Sequence, residues 1–291
     1  MMAPMSDTPQ DEDIEHALRL PPGPVDLSAL DPAATPAFSG GKSEGKKALT
    51  ALGDPLSDLQ ERLFAEGVAG VADRAVLLVL QGMDTSGKGG VLRHTVGLVD
   101  PQGVRITSFK APSEEEREHD FLWRIRKAVP DSGQLGVFDR SHYEDVLIAK
   151  VRSLAPKKEI ERRYDAINEF EAELAAVGIR VIKAMLHISP DAQKDRLLRR
   201  LEREDKHWKF NPGDIDERGK WPDYAAAYEI ALERTNTEVA PWYVVPSDHK
   251  WYRNLAIGHL LHGTLARMAP AWPGPDYDID EQRARLLGDP A

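Results

Sequence analysis

The chain has 291 residues, a net charge of -10 and no cysteine, a composition typical of one large globular domain. The acidic balance argues against a general nucleic-acid binder or membrane-surface binder, and the lack of cysteine excludes disulfides and thiolate metal sites. The sequence shows no signal-peptide pattern and no apolar run of about 18 residues, so we expect a cytoplasmic protein without membrane spans.

The first predicted segment, residues 1–45, is rich in Pro, Asp, Ala and Gly and is a mobile N-terminal arm or one that lies along the surface of the domain. An amphipathic helix is predicted over residues 46–66. Five short apolar runs bounded by turn residues predict buried strands, and they cover Ala75–Gly82, Val104–Phe109, Gln134–Arg140, Ile179–Ser189 and Ala240–Asp248. Helices are predicted between and after these strands, over 91–99, 114–129, 158–177, from Ser189 onward and over 251–268.

Strands that alternate with helices predict an α/β fold, a parallel sheet of about five strands flanked by helices and typical of phosphate-loop kinases. We assign this domain to residues 46–272, with a helical lid over about 195–222 and the helix over 46–66 as an N-terminal extension. Residues 273–291 form a polar, proline-rich tail.

The stretch GMDTSGKGG, residues 82–90, follows a predicted strand and opens a helix, which is the context of a phosphate-binding loop. Successive backbone N–H groups and a helix N-terminus bind anions there, so the predicted phosphate-binding residues are Gly82, Gly87, Lys88, Gly89 and Gly90. The usual loop carries a Ser or Thr after the lysine to hold Mg²⁺, and Gly89 occupies that position. The simpler alternative is a glycine-rich turn without a ligand.

Two acids are candidates to replace the missing hydroxyl. Asp139 stands at the carboxyl end of a predicted strand, where parallel sheets bind their ligands, and Asp84 lies within the loop. Mg²⁺ is commonly held by one or two carboxylates together with substrate phosphates, so Asp84 and Asp139 are the predicted metal ligands. Arg140 follows directly and suits contact with phosphate, with a structural ion pair as its alternative.

A basic segment follows the fourth predicted strand, in the position where small nucleotide phosphotransferases carry a lid that excludes water. Its cationic residues are Arg199, Arg200, Arg203, Lys206 and Lys209. We predict that Arg199 and Arg200 are catalytic and that the other three bind phosphate. The alternative is a solvated helix face whose charges pair along the helix.

These motifs together resemble the polyphosphate kinase 2 family over most of the chain. The matching stretches include GMDTSGKGG, FDRSHYEDVL, HWKFNPGDIDERGKWPDYAAAYE and TNTEVAPWYVVPSDHKWYRN. The resemblance implies transfer of a terminal phosphoryl group between inorganic polyphosphate and a nucleotide, with Mg²⁺ or, as a substitute, Mn²⁺. It also implies catalytic roles for Asp84, Lys88, Asp139 and Arg140, and a homo-oligomer, either dimer or tetramer.

The sequence indicates the type of reaction more clearly than the nucleotide that accepts the phosphoryl group. The HYED sequence is similar to the subgroup that accepts both AMP and ADP, and we assign nucleotide binding to Lys110, His142, Tyr143 and Glu144. His142 has a structural role as its alternative, and Arg105 is a second candidate for an acceptor phosphate. Many members of this subgroup carry Asp where Gly89 stands. The choice of acceptor, AMP or ADP and adenine or guanine nucleotide, therefore stays open.

Two other functions share part of this pattern. An ATP-dependent nucleoside monophosphate kinase of the thymidylate-kinase type has a similar sheet, loop and lid, but it carries the Ser or Thr that is missing here. A protein that binds polyphosphate or nucleotide without catalysis would lack an acid or the lysine. Asp84, Lys88, Asp139 and Arg140 are all present, which favours the enzyme.

Overall fold

A parallel five-stranded sheet forms the centre of the computed structural model, which describes residues 10–288. Its strands are β1 (Ala75–Gln81), β2 (Val104–Ser108), β3 (Leu135–Asp139), β4 (Ile179–His187) and β5 (Trp242–Pro246). Their order across the sheet is β2-β3-β1-β4-β5, and each neighbouring pair runs parallel. The predicted α/β fold with a parallel five-stranded sheet is confirmed.

Helices cover both faces of this sheet. In chain order they are α1 (Asp11–Leu18), α2 (Lys42–Ala69), α3 (Lys88–His94), α4 (Glu114–Arg117), α5 (Trp123–Arg126), α6 (Ile148–Val151), α7 (Lys157–Ala176), α8 (Pro190–Glu202), α9 (Gly213–Arg218), α10 (Trp221–Thr235), α11 (Lys250–Met268) and α12 (Ile279–Gly288). None of these helices of residues 10–288 is long and apolar enough to cross a membrane.

The central strand β1 is buried on both faces because its side chains alternate between two apolar cores. Leu77 and Val79 pack in the core that α7 and α10 cover. Val76, Leu78 and Leu80 pack in the other core, beneath α2 and α11. This two-sided burial explains the uninterrupted apolar sequence of β1 from Ala75 to Leu80.

The helix predicted over 114–129 is divided into the short helices α4 and α5. Ser113 caps α4 through a reciprocal capping box with Glu116. Asp120 then interrupts the helix, because its side chain accepts a hydrogen bond from the backbone N–H of Leu122 at 3.0 Å. Asp competes in this way for backbone groups that a continuous helix would use.

The N-terminal segment differs from the predicted mobile arm, because residues 10–41 pack against the domain. Ile14 and Leu18 of α1 are buried in the core beneath α11. The backbone N–H of Leu20 donates to the carbonyl of Trp242 at 2.8 Å, so the segment covers the outer edge of β5. Residues 1–9 of the predicted arm and 289–291 of the predicted tail lie outside the described residues.

Polar contacts also fasten α1 to α11. Both Asp11 carboxylate oxygens meet histidine nitrogens, with His259 Nδ1 at 2.8 Å and His262 Nδ1 at 2.6 Å. Burial raises the pKa of Asp11, but the hydrogen bonds to these histidines outweigh it and lower the pKa to about 2. The ionised carboxylate is therefore the form that holds the segment in place.

A charged pair lies inside the core on the other face of the sheet. Lys183 Nζ of β4 is 2.6 Å from Glu171 Oε2 of α7, and both side chains are fully buried. The ammonium also donates to the Thr235 carbonyl at 2.6 Å and to the Tyr143 hydroxyl at 3.0 Å. A buried charge needs such complete pairing, so this pair ties four segments of the chain together.

We predict that Ile14→Ala lowers the free energy of unfolding by about 2–5 kcal/mol, the cost of deleting a buried aliphatic side chain. Urea unfolding followed by circular dichroism measures it. Ile279→Ala is the matched control, because Ile279 of α12 is 51% exposed, and it should change stability by less than about 0.5 kcal/mol. Equal effects of the two substitutions would contradict the packing of α1.

We predict that Lys183→Met costs about 3–5 kcal/mol of stability, because it leaves the Glu171 carboxylate buried without a cation. The double variant Lys183→Met, Glu171→Leu should recover most of this loss, since it removes both charges. Thermal unfolding of the two variants and the parent protein measures the difference. A double variant that is no more stable than Lys183→Met would refute the pairing as the cause.

Candidate active site

A cavity of about 1710 Å³ opens at the carboxyl ends of β1 and β3. These strands are neighbours, and Leu80 of β1 pairs with Asp139 of β3. The loop after β1 and the end of β3 therefore meet at one edge of the sheet. The strands β3 and β4 follow each other in the chain but lie on opposite sides of β1. Open parallel sheets bind ligands at such a switch point.

The phosphate-binding loop needs glycine at two of its turns. Gly82 and Gly87 have φ values of 149° and 115°, which strain any residue with a side chain. A Cβ on Gly82 would lie 2.7 Å from the carbonyl oxygen of Leu186. Lys88 begins α3, and its Nζ donates to the Gly82 carbonyl at 2.9 Å, so the lysine folds back over the loop.

The two glycines after Lys88 differ in their surroundings. A Cβ on Gly90 would approach Arg253 Nη2 to 2.5 Å, whereas a Cβ on Gly89 would meet no atom within 4 Å. A side chain at residue 90 would therefore require Arg253 to shift, whereas one at residue 89 would displace no neighbour. Both glycines line the large cavity with Gly87 and Lys88, and phosphate binding by these residues stays a prediction.

The predicted metal ligands and their arginine lie beside the loop. Asp84 and Asp139 line the large cavity, and Arg140 Nη2 is 3.0 Å from Asp84 Oδ1. Arg140 has a φ of 65°, a strained value for a residue with a side chain, which is typical of functional sites. Burial lowers the pKa of Arg140, but Glu144 and Asp84 outweigh it, so its pKa is raised.

Asp84 and Asp139 fit a magnesium ion that takes only part of its ligands from the protein. Within residues 10–288, no group of three or more His, Asp and Glu residues is suited to hold a metal by itself. Asp84 and Asp139 supply two oxygen-bearing side chains at the rim of a basic cavity. Mg²⁺ bound there would draw its other ligands from water and substrate phosphates, as this ion commonly does.

The lysine of the loop responds to the same charges. Burial and Arg140 lower the pKa of Lys88, while Asp84, Asp139 and Glu144 act in the opposite direction. The net shift is downward, so the surroundings of Lys88 disfavour its charged form. An anion in the cavity would favour the charged form of this side chain.

A smaller cavity of about 210 Å³ adjoins the large one. Asp84 and Arg140 line both cavities, so they stand at the junction. The smaller cavity is also lined by Glu144, Tyr228 and Trp221. Burial raises the pKa of Glu144 even though Arg140 and Lys88 oppose the shift, and its Oε1 lies 3.1 Å from the Gln81 amide nitrogen in the orientation that satisfies both groups.

The predicted lid forms α8, a short 3₁₀ helix over Glu204–Lys209, and α9. Ser189 and Pro190 begin α8 as the sequence predicts, because the Ser189 hydroxyl accepts from the backbone N–H of Ala192. All the predicted cationic lid residues line the large cavity, namely Arg199, Arg200, Arg203, Lys206 and Lys209.

Acids hold several of these lid cations in place. Arg200 Nη1 pairs with Asp214 Oδ2 at 3.1 Å, and the Asp205 carboxylate contacts both Arg203 and Lys206 at 3.0 and 2.9 Å. Arg199 is exposed and lines the large cavity, so its guanidinium can meet an anion there. The lid thus combines internal pairing with exposed positive charge.

Three residues that were predicted to contact the acceptor substrate lie away from both cavities. His142 and Tyr143 are fully buried, and both contact Glu171 Oε1, at 3.2 and 2.8 Å. They belong to the core, so their assignment to nucleotide binding is wrong. Arg105 donates to the carbonyls of Val129 and Lys127, which leaves Lys110 and Glu144 in cavity walls.

Several cationic residues of the site were missed from the sequence. Lys42 and Lys46 reach the large cavity from α2, and Lys250 and Arg253 reach it from α11. Arg196 lies at the start of the lid and also lines it. The signal was present in the stretch SDHKWYRN, whose basic residues follow a strand end on the same edge of the sheet.

The comparisons with known proteins agree with this arrangement. The family model for polyphosphate kinase 2 matches residues 40–272. An AMP/ADP-polyphosphate phosphotransferase of Meiothermus ruber is 45% identical over 256 residues, covering 88% of this chain and 94% of that protein. An ADP-polyphosphate phosphotransferase of Rhodopseudomonas palustris is 40% identical over 230 residues, covering 75% of this chain and 78% of that protein.

A solved structure gives the same result for the fold. The crystal structure of polyphosphate kinase 2 from Arthrobacter aurescens TC1 matches with a TM-score of 0.92 and 48% sequence identity. The match covers 99% of this chain and 100% of that chain. With the family model matching most of the sequence, this chain belongs to the polyphosphate kinase 2 family.

Proposed function

We propose that this protein transfers the terminal phosphoryl group of inorganic polyphosphate to AMP and to ADP, with Mg²⁺ as its metal. The observation that carries the proposal is the convergence of a phosphate loop, two carboxylates and a basic lid on one cavity. A polyphosphate chain offers no base or ribose for recognition, so a site for it requires a track of cations. The names of the relatives that match most of this chain support the same donor.

The two adjoining cavities suggest how donor and acceptor divide the site. The large cavity carries the lysines and arginines and suits the polyanionic donor. The smaller cavity, with Trp221, Tyr224 and Tyr228 in its wall, suits the nucleoside of the acceptor. Asp84 and Arg140 line both cavities, which supports transfer of the phosphoryl group at the junction between them.

Each residue of the site has a role in this reaction. The loop amides and Lys88 hold the terminal phosphates of the donor. Arg140 and the lid residues Arg199 and Arg200 offset negative charge as it shifts between oxygens, which is the main catalytic contribution in phosphoryl transfer. An acceptor phosphate is already ionised near neutral pH, so no residue is required as a general base.

Asp84 and Asp139 would hold Mg²⁺. When bound, the ion screens the charge of the phosphates and stabilises the charge that develops during transfer. The closing lid would keep water away from the reacting group. Because an anhydride is broken and another is formed, the reaction is reversible, and the direction follows the concentrations of the substrates.

The proposal extends to the setting of the enzyme. Adenine nucleotides are the acceptors that the relatives' names support, with guanine nucleotides as the further acceptors to test. A cytoplasmic location suits a chain without cysteine, and a homo-oligomer, dimer or tetramer, is expected from the resemblance to the family.

The first test supplies purified protein with Mg²⁺ and polyphosphate, and gives AMP to one sample and ADP to another. Chromatography should find ATP in both samples, because the acceptor groups Glu144 and Arg140 meet either nucleotide at the same junction. Conversion of AMP to ADP with ADP itself inert would restrict the acceptor to AMP. Transfer from ATP but not from polyphosphate would overturn the proposal in favour of an ordinary nucleotide kinase.

Lys88→Ala should lower turnover by at least about a hundredfold in this assay, because it removes a preorganised charge from the transferred group. Lys158→Ala is the matched control, since Lys158 is exposed on α7, away from both cavities. A Lys88→Ala enzyme with parental turnover would exclude the loop from the reaction.

Asp139→Asn and Asp84→Asn should each raise the Mg²⁺ concentration needed for half-maximal activity by about tenfold or more, since a neutral amide is a poorer ligand for this cation. Titration of Mg²⁺ at saturating polyphosphate and ADP measures the shift. Asp276→Asn, an exposed residue before α12, is the control. An unchanged requirement in both active-site variants would show that the metal is held elsewhere.

A further inference from the structure

Arg253, in the first turn of α11, is a buried guanidinium that no carboxylate neutralises. Only 2% of its surface is exposed. Its three hydrogen bonds go to neutral groups, the Ser86 carbonyl at 3.1 Å and the Asn254 amide oxygen at 3.2 and 2.8 Å. Within residues 10–288 it forms no ion pair, which is unusual for a charge so far from water.

The same guanidinium packs directly against the phosphate-binding loop. A Cβ on Gly87 would lie 1.7 Å from Arg253 Nη1, and a Cβ on Gly90 would lie 2.5 Å from Nη2. Neither distance leaves room for a side chain, so the glycines of the loop and Arg253 fit one another. Arg253 and the loop residues also line the same large cavity.

A second buried arginine holds the other side of the loop. Arg196 Nη1 donates to the carbonyls of Thr85 and Ser86 at 2.8 and 3.0 Å, and its Nη2 donates to the carbonyl of Asp248 at 3.1 Å. Arg196 and Arg253 thus share the Ser86 carbonyl. Burial first, and then the charge of Arg196, lowers the pKa of Arg253, so two like charges are held close together.

The position of Arg253 in its helix adds to this cost. The N-terminus of a helix carries partial positive charge, and basic residues are disfavoured in its first turn. The first turn of α11 has no acidic residue, and both Lys250 and Arg253 lie in it. All these charges face the same cavity, so an anion there would offset them together.

We propose that Arg253 is a positioning residue for the donor: it fixes the phosphate loop and holds a positive charge that only bound polyphosphate neutralises. This inference rests on the proposed polyphosphate-dependent transfer. A residue that merely supported the fold would be expected to have its charge paired within the protein. Here the missing counter-charge is supplied by the substrate, so part of the unfavourable burial is relieved when the donor binds.

Arg253→Met tests the proposal because it keeps the length of the side chain and removes the charge. Without ligand, the variant should melt at or above the temperature of the parent protein, since an unpaired buried charge has been removed. The rise in melting temperature on adding long-chain polyphosphate alone should fall below about half of the parental rise. The KM for polyphosphate should increase by about tenfold or more, because the loop loses a support and the donor loses the attraction of a nearby positive charge, while the KM for ADP stays the same.

A purely structural role gives the opposite pattern. The variant would then melt at a lower temperature, with parental KM for polyphosphate and a parental rise on adding it, and the proposal would be overturned. Arg180→Met, an exposed arginine of β4, is the matched control and should match the parent in every measurement. If Arg253→Met does not fold, Arg253→Gln replaces it, because glutamine keeps hydrogen-bonding groups and lacks the charge; the same increase in KM is expected, and an unchanged KM would contradict the proposal.

The parent protein separates this inference from the proposed function. If polyphosphate neither stabilises the parent protein nor supports transfer, the proposed function fails, whatever the variants do. If the parent protein is stabilised by polyphosphate and Arg253→Met is stabilised equally, only the role of Arg253 fails.

Discussion

The parallel pairing of β1 with β3 is the constraint on which the site depends. The pairing aligns Leu80 with Asp139, so the phosphate loop and the strand-end acid must emerge side by side. A shift of one residue in this register would turn Asp139 toward the opposite face of the sheet. The buried alternation of β1, with different residues committed to each core, prevents such a shift. Packing in the two cores thereby fixes the position of the loop relative to Asp139.

Charge is distributed very unevenly in this molecule. The chain as a whole carries a net charge of -10, yet the large cavity gathers cations from α2, the loop, the lid and α11. Field strength in a cleft depends on the local charges more than on the total. The acidic remainder of the chain therefore does not prevent the cavity from presenting concentrated positive charge to an anionic substrate. The net charge of the chain is therefore a poor guide to its substrate, and the cations that line the cavity are the better guide.

Much of this arrangement could be predicted from the sequence, because strong local signals coincide with it. The strands were recognisable as apolar runs, and Asp139 was recognisable from its place at the end of one of them. The N-terminal segment was misjudged from its Pro- and Asp-rich composition, although Ile14 and Leu18 are spaced by one helical turn. His142 and Tyr143 were misplaced because the short 3₁₀ helix His142–Asp145 turns them into the core.

The contacts of Arg253 and Arg196 with the loop could not be predicted from spacing, although the stretch SDHKWYRN already placed Arg253 near a strand end. Each lies on a helix distant in sequence, and an arginine in a helix usually faces solvent. Their burial depends on how α8 and α11 pack at the sheet edge, which is a property of the tertiary structure. Contacts between arginine side chains and backbone distant in sequence are thus the part of the site that is hardest to predict from the sequence.

The surroundings of the loop glycines have a consequence for how this enzyme can change. Gly82, Gly87 and Gly90 are fixed by their backbone angles or by the atoms beside them, whereas Gly89 faces open space. A side chain introduced at residue 89 would therefore enter the active site without disturbing the loop. Residue 89 is therefore a position of the loop where an acidic or hydroxyl side chain can be introduced while the backbone of residues 82–90 is kept.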